Sequence, residues 1–445
     1  MRIIVAGAGE VGTHLAKMLS RENHEIVIID PDNERLKKIA ATTDLMTVCG
    51  AVTSMKLLVS AGTERTDMFI AVTPSDDTNI VAAIMAKKLG AKLTVVRIGN
   101  SESLHKENRD ILTGLGIDSI VYPEKIAARE LLNILRQSGL STLVDFSGGR
   151  LSLLSVKMTP NAPVIDKTPS EAAEIYRMEY CAVAILRDGK TIIPKNDTRF
   201  EPNDMVYLVT NHAGIKNILL HSGHRHERIS QVMIIGGSHI GRLIAKELGK
   251  EYNVKIFEED RTEAYRLSDT LNNALVINDD GKKINTLIEE GLRTTDVFIA
   301  VKGTSEDNIL ACLMAKNEGV RYTVAEIENI DYISLAERLG IDTIINKKLI
   351  AASHIYRYTF ADKVTMMKYL ATTEAEVLEF VVPEMAKITE LPLRELDFPK
   401  DAIVGGLIRN GFGHIAGGDT HVQAGDHVVV FAMPSAVHEI SKFFR

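Results

Sequence analysis

The chain has 445 residues, a formal net charge of −7 at pH 7, 5% aromatic residues and no tryptophan. An acidic balance excludes the positive footprint that nucleic-acid binding needs, and scarce aromatic residues disfavour the stacking of bases. The sequence has neither an apolar run of about 18 residues nor a basic and then apolar leader. We therefore expect a cytoplasmic protein without a membrane span and without nucleic-acid partners.

The sequence repeats itself at long range. Residues 66–72 read TDMFIAV, and residues 295–301 read TDVFIAV, an offset of 229 with one substitution. The offset becomes 224 where LGID at residues 115–118 recurs at residues 339–342. A repeat of this length exceeds the roughly 20 to 50 residues of a solenoid unit, so it indicates a duplicated pair of domains. Any function must therefore account for two halves.

The first half opens with a dinucleotide-binding fingerprint. An apolar run at residues 2–6 precedes a helical pattern at residues 13–19. Between them lie Gly7, Ala8, Gly9, Glu10, Val11 and Gly12. A strand, glycine turn and helix in this order present backbone N–H groups and the positive end of the helix dipole to a pyrophosphate. The turn therefore predicts a nucleotide site.

A carboxylate follows the second predicted strand. Residues 26–29 form an apolar run that stops at Asp30, eighteen residues beyond Gly12. A carboxylate there accepts hydrogen bonds from the adenosine ribose and repels a 2′-phosphate. This position predicts NAD or an adenine nucleotide in preference to NADP.

Strands and helices alternate through the rest of this region. Further strands are predicted at residues 45–49, 68–72, 93–97 and 119–121, and helices at 33–40, 54–60, 78–89 and 103–114. This alternation predicts an α/β fold with a doubly wound parallel sheet, whose ligands lie beyond the carboxyl ends of the strands. Ala51, Val52, Thr73 and Pro74 are thus candidates to flank the adenosine. Arg97 ends a strand, where it either reaches the phosphates or pairs with a carboxylate.

From about residue 141 the pattern changes to short alternating strands separated by turns, which predicts a small α+β module. The polar segment at residues 221–228 follows it. Three histidines in this segment would suit a metal, but their spacing and a missing fourth ligand favour a solvated linker. We therefore expect no metal site.

The second half repeats this plan with substitutions. Its glycine turn contains Gly236, Gly237, Ser238, His239 and Ile240. The serine replaces the middle glycine, and Glu326 stands at the position of Arg97. Its second strand ends in Glu258 and Glu259, either of which can be the ribose-binding carboxylate. We expect this second site to bind more weakly or to prefer a different nucleotide. A second β-rich module follows.

No catalytic residues are recognisable. Hydride transfer requires a group that moves a proton beside the nicotinamide, such as a Tyr–Lys pair, a histidine or an aspartate. The chain contains no Tyr-x-x-x-Lys sequence, its histidines are scattered, and it lacks a Gly-x-x-x-x-Gly-Lys-Ser/Thr phosphate loop. We expect a regulator that is not an enzyme. A soluble NAD-dependent oxidoreductase is the alternative.

The domain order resembles that of the RCK (KTN) family, which regulates potassium conductance. The resemblance is end to end and rests on the glycine turn, Asp30, residues 67–73, Arg97 and residues 204–209. It implies two Rossmann-like domains, each followed by a small RCK-C-like domain. The predicted boundaries are residues 1–138, 139–222, a linker at 223–230, 231–365 and 366–445. A polar residue is common in the family where this chain has Ala51.

The same resemblance implies a function. The family binds NAD(H), and ATP or ADP is implied at one or both sites. It also implies self-association into a ring, as a dimer or tetramer, on the inner face of the cell membrane. The implied partner is an integral-membrane potassium transporter of the TrkH-like kind. Regulation of a different cation channel or antiporter is a further alternative.

Overall fold

The computed structural model describes residues 1–20, 24–100, 105–136, 142–223, 229–360, 364–370, 373 and 375–444. It contains two compact units: one comprises residues 1–126 and 347–367, and the other comprises residues 127–346 and 368–445. The predicted linker includes residues 224–228, which lie outside the described residues. Among the described residues, no helix combines the length and the hydropathy of a membrane span.

A six-stranded parallel sheet forms the start of the chain. Its strands are β1 (Arg2–Ala6), β2 (Glu25–Asp30), β3 (Met46–Cys49), β4 (Met68–Ala71), β5 (Leu93–Arg97) and β6 (Ser119–Val121). Its helices are α1 (Glu10–Ser20), α2 (Asn33–Ala40), α3 (Met55–Ser60), α4 (Asp76–Leu89) and α5 (Lys106–Gly114). The order β3-β2-β1-β4-β5-β6 confirms the predicted doubly wound sheet. Strand order reverses between β1 and β4, so a ligand crevice is expected there.

Continuous apolar strands build the core of this sheet. Ile3 and Ile4 on β1, and Phe69 and Ile70 on β4, are fully buried. Consecutive residues of a strand point to opposite faces, so both faces of the sheet must be covered. Helices therefore lie on the two faces, and only the strand ends remain accessible to a ligand.

A small antiparallel module follows. Its strands are β7 (Thr142–Phe146), β8 (Leu151–Lys157), β9 (Tyr180–Arg187), β10 (Lys190–Ile192) and β11 (Met205–Thr210), in the order β10-β9-β11-β8-β7. The accompanying helices are α6 (Pro123–Arg136), α7 (Pro169–Tyr176) and α8 (Ile215–His221). The strands pair antiparallel, as the short-strand pattern predicts.

The second half repeats the parallel sheet. Its strands are β12 (Gln231–Ile235), β13 (Asn253–Phe257), β14 (Ala274–Ile277), β15 (Val297–Ala300), β16 (Tyr322–Glu326) and β17 (Thr343–Ile345). Its helices are α9 (His239–Leu248), α10 (Arg261–Thr270), α11 (Ile284–Glu289), α12 (Ser305–Asn317) and α13 (Ile333–Arg338). The order β14-β13-β12-β15-β16-β17 matches that of the first sheet.

The second small module completes the chain. It contains β18 (Val364–Leu370), β19 (Ala375–Val381), β20 (Ala402–Arg409), β21 (Phe412–Ile415), β22 (His427–Ala432) and α15 (Pro434–Ser441), and it is preceded in the chain by α14 (Lys347–Tyr356). Its sheet order, β18-β19-β22-β20-β21, repeats that of the first module. The predicted fold class is therefore confirmed: two doubly wound parallel sheets, each followed by a small α+β domain.

The same arginine–aspartate ion pair occurs in both small modules, at positions 222 residues apart in the sequence. The guanidinium of Arg187 binds both carboxylate oxygens of the buried Asp204 at 2.8 Å. Arg409 binds Asp426 in the same two-pronged way, at 2.8 and 2.6 Å. These matched residues stabilise the fold of each small module, because a buried carboxylate requires a charged partner.

Helix α14 packs against the first sheet domain, although it follows the second sheet in sequence. It lies against α1 within the first compact unit. Just beyond it, the hydroxyl groups of Tyr358 and Ser119 on β6 are 2.5 Å apart. The first unit is therefore completed by a segment from the second half. The domain boundaries given above remain predictions.

Candidate functional site

The first glycine turn has the geometry that its sequence predicts. Gly7 has a φ of +112°, which disfavours any side chain, and its N–H donates to Ile29 O at 2.8 Å. A Cβ on Gly12 would lie 1.9 Å from the carbonyl oxygen of Gly7. Only a glycine at position 12 therefore allows the start of α1 to pack this closely against the turn. A Cβ on Gly9 would meet nothing within 4 Å. The middle glycine therefore faces open space, where a pyrophosphate would approach.

Asp30 is held against this turn. It is buried, and its carboxylate accepts the N–H of Ala8 at 2.6 Å and that of Asp32 at 2.8 Å. An ionised carboxylate offers about four lone-pair positions, so two remain for other donors. The backbone thus fixes a charged acceptor beside the turn at the end of β2, as ribose recognition requires.

A buried asparagine connects the strand-end loops. Asn79 accepts the N–H of Thr73 at 2.9 Å and donates to the carbonyl of Arg97 at 2.9 Å. In the second half, Asn308 accepts the N–H of Lys302 and donates to the carbonyl of Glu326, each at 2.9 Å. This positioning role is not recognisable from the sequence, although the two asparagines lie 229 residues apart, at equivalent positions of the repeat.

The other predicted residues of the first site fall into two groups. Ala51, Pro74 and Glu10 are exposed near the strand ends and the helix start. Val11 and Val52 are buried, as are Ala8 and, in the second half, Ile240. Their side chains belong to the core, so any contact that these buried residues make with a nucleotide must come from the backbone.

Arg97 lies near a carboxylate, one of the two arrangements that its position allows. Its Nη2 is 3.9 Å from Oε1 of Glu124 at the start of α6. Glu124 is buried, and its Oε2 has no hydrogen-bond partner among the described residues. This separation exceeds a hydrogen-bond distance, so the two groups interact as a loose ion pair at the ends of the strands.

Glu258 is the second-half counterpart of Asp30. It accepts the N–H of Gly237 at 2.7 Å and that of Asp260 at 2.8 Å, which reproduces the two bonds of Asp30. Glu259 is largely exposed and pairs with Lys302 at 2.5 Å. The structure thus distinguishes two glutamates that the sequence leaves equivalent.

The hydroxyl group of Ser238 forms hydrogen bonds within the protein. It donates to the carbonyl of Val301 at 3.0 Å and accepts the N–H of Gly241, at the start of α9, at 3.4 Å. A cavity of about 350 Å³ opens beside it, lined by residues 236–239 and by Arg242, Glu258, Glu263 and Lys302. The serine therefore caps the helix and leaves an open pocket.

The second pocket is lined by two cationic side chains, Arg242 and Lys302, that were not predicted from the sequence. At the 229-residue offset, Arg242 stands at the position of Thr13, and Lys302 at that of Thr73. Arg242 contacts Nδ1 of His239 at 2.5 Å. A position-by-position comparison of the two halves would have found both cations. Among the described residues, no cluster of three potential metal ligands occurs.

These paired parallel sheets, each with a glycine turn and a strand-end carboxylate held against it, define a tandem protein of the Rossmann-like α/β class. The chain belongs to the family built from TrkA-N and TrkA-C domains. The TrkA-N model matches residues 3–123 and 232–347, and the TrkA-C model matches residues 153–220 and 377–445.

Curated relatives match over the whole length. The chain is 31% identical over 449 residues to a "Trk system potassium uptake protein TrkA homolog" of Archaeoglobus fulgidus, with all of both chains covered. It is 30% identical over 452 residues to "Trk system potassium uptake protein TrkA" of Haemophilus influenzae, covering 100% of this chain and 99% of the relative.

A solved structure shares the fold. The structure "GsuK channel bound to NAD" superposes with a TM-score of 0.62 at 15% identity, covering 100% of this chain and 79% of that one. Identity this low supports the architecture alone.

Proposed function

We propose that this protein is a cytosolic regulatory subunit that binds NAD(H) or adenine nucleotides and gates a membrane potassium transporter of the Trk type. The main support for the proposal is that each half of the chain contains an equivalent candidate nucleotide site. Asp30 and Glu258 are each fixed by a glycine-turn N–H, in a chain whose full-length relatives are named for potassium uptake. The protein is not an enzyme in this proposal, because nucleotide binding itself is the signal.

The two sites are proposed to differ in ligand preference. The first site has an open face at Gly9, the acceptor Asp30 and the cation Arg97, which together suit a dinucleotide. NAD(H) is the dinucleotide proposed for this site, because the charge of Asp30 would repel the 2′-phosphate of NADP. The second pocket carries Arg242 and Lys302 beside its turn, which suit the more highly charged phosphates of ADP or ATP.

Self-association into a ring is the second part of the proposal. Large apolar side chains are exposed at equivalent positions of both halves. The pairs are Met46 and Leu275, Val81 and Leu310, Ile111 and Leu335, and Leu115 and Leu339. Retention of the same exposed apolar positions in both halves favours a second copy of this chain as the occupant. A dimer or tetramer would bury them.

Gating follows from linkage between the nucleotide and the ring. A nucleotide that binds one arrangement of the domains more tightly shifts the population toward it, by no more than its differential affinity. Coupling energies of this kind are typically about 1–3 kcal/mol. The transporter, TrkH-like in this proposal, would respond to that shift at the inner face of the membrane.

The test is reconstitution of the full chain with a Trk-type transporter in proteoliposomes. Potassium flux should change with added NADH, ADP or ATP, and the Gly9→Val variant should lose the NADH response. Flux that is independent of both the protein and the nucleotide would refute the gating role. Turnover of NADH with a small-molecule substrate would instead favour the oxidoreductase.

A further inference from the structure

A lysine from the second half lies at the first glycine turn. Lys348 is the second residue of α14, and its Nζ contacts Oε2 of Glu10. Glu10 is the first residue of α1, immediately after Gly9. Both residues belong to the first compact unit. The lysine side chain is 18% exposed and that of Glu10 is 62% exposed, so the pair lies at the rim of the site.

The charge of Glu10 is unfavourable for the ligand that its position predicts. The first turn of α1 supplies the N–H groups and dipole that attract phosphate, whereas a carboxylate there repels it. Lys348 neutralises that carboxylate. Because it reaches Glu10, its ammonium group lies within one side-chain length of the helix start.

This arrangement is specific to the first half. At the 229-residue offset the counterpart of Glu10 is His239, and at the 224-residue offset the counterpart of Lys348 is Glu124. The second pocket instead draws its cations from Arg242 and Lys302. A lysine supplied by α14 is therefore not a general feature of the repeat.

We propose that Lys348 is a phosphate-binding residue of the first site, held by Glu10 until a nucleotide binds. The inference rests on the proposed nucleotide function and deepens it. Phosphate at the start of α1 competes with Glu10 for the ammonium group. Because Lys348 belongs to α14, occupancy of the first site is reported directly to the segment that leads into the second small module.

The decisive variants are Lys348→Gln and Glu10→Gln in the full chain, with Lys347→Gln as the charge-matched control. Equilibrium binding of ADP to the first site is measured in a background carrying Glu258→Ala, Arg242→Thr and Lys302→Thr, which together disable the second pocket. We expect Lys348→Gln to weaken ADP binding about tenfold, since one charge-assisted phosphate contact is lost. Glu10→Gln should tighten it, because a competitor and a like charge disappear. Lys348→Arg should retain most of the affinity.

Adenosine, which lacks phosphate, separates this role from a structural one. Its affinity should be unchanged in Lys348→Gln. If Lys348→Gln leaves ADP affinity unchanged while Gly9→Val abolishes it, Lys348 is not a phosphate ligand and the proposed function stands. If Lys348→Gln and Glu10→Gln weaken ADP and adenosine equally and lower the unfolding temperature alike, the pair is structural and the inference is wrong. If Gly9→Val has no effect on ADP binding, the proposed site itself is wrong.

Discussion

The carboxylate of Asp30 accepts the backbone N–H of Ala8 at 2.6 Å, and this bond holds the carboxylate at the end of β2 against the glycine turn. Glu258 repeats the relationship with Gly237 at 2.7 Å, although its side chain is one methylene longer. Both halves therefore place a charged acceptor in the same relation to the glycine turn. The duplication preserved this bond while the surrounding charges changed.

Replacement of Asp30 by alanine should weaken NADH binding at the first site by about tenfold or more, because hydrogen bonds to a charged acceptor contribute roughly 1.5–3 kcal/mol each. The preference for NADH over NADPH should also shrink, since the charge that repels the 2′-phosphate is lost. Isothermal titration calorimetry with NADH and with NADPH measures the two affinities. Glu258→Ala is the matched control and should leave the first site unchanged; an equal loss in both variants would contradict two independent sites.

Substitutions of Gly9 and Gly12 should separate effects on NADH affinity from effects on the stability of the fold. Gly12→Ala places a Cβ 1.9 Å from a backbone oxygen, so we expect destabilisation by about 1–3 kcal/mol or more. Gly9→Ala meets nothing within 4 Å, so the unfolding temperature should hardly change while NADH affinity falls. Thermal unfolding and titration on the same samples give both values. Loss of stability in Gly9→Ala would contradict the open face.

The two cations of the second pocket should govern its affinity for ADP. Arg242→Thr and Lys302→Thr restore the residues found at the equivalent first-half positions. Each should weaken ADP binding about tenfold or more through a lost charge-assisted hydrogen bond. Titration in a Gly9→Val background isolates this pocket. Glu263→Gln, which removes a negative charge from the same lining, is the control and should tighten binding.

The exposed apolar positions should control assembly. Ile111→Glu or Leu335→Glu places a charge on α5 or α13, and the mass from light scattering should fall toward the 49.0 kDa of one chain. Ile175→Glu, at a similarly exposed isoleucine on α7, is the control and should leave the assembly intact. An unchanged mass in both test variants would exclude these helices from the interface.

The best-preserved repeat in the sequence is structural. Asp67 is the second residue of that motif and directly precedes β4; it accepts the N–H of Arg2 at 2.8 Å and binds Lys92 at 2.7 Å. The hydrogen bond from Lys92, assisted by that from Arg2, lowers the pKa of Asp67. This cluster is at the opposite ends of the strands from the glycine turn. The repeat thus revealed the duplication without marking the site.

Local patterns predicted the sheets and the glycine turns, because strand, turn and helix signals depend on neighbouring residues. The placement of α14 against α1 was not predictable in this way, since it joins segments more than 300 residues apart. Lys348 therefore escaped sequence reasoning. The choice between Glu258 and Glu259 also required the structure, because only backbone geometry shows which carboxylate faces Gly237.

Acidification should weaken the packing of α14. Burial, with a smaller effect from the positive charge of Arg357, lowers the pKa of His354 to about 4 from 6.5. On acidification, the histidine of the unfolded chain is therefore protonated before that of the folded chain. The contribution of His354 to the free energy of unfolding is complete above about pH 6.5 and is lost as the pH drops toward 4. The loss attributable to this group should approach about 3 kcal/mol. Urea unfolding of wild type and His354→Gln across this range measures the difference, with His105→Gln, at an exposed histidine, as control. Parallel pH profiles for wild type and His354→Gln would show that the histidine is not buried as described.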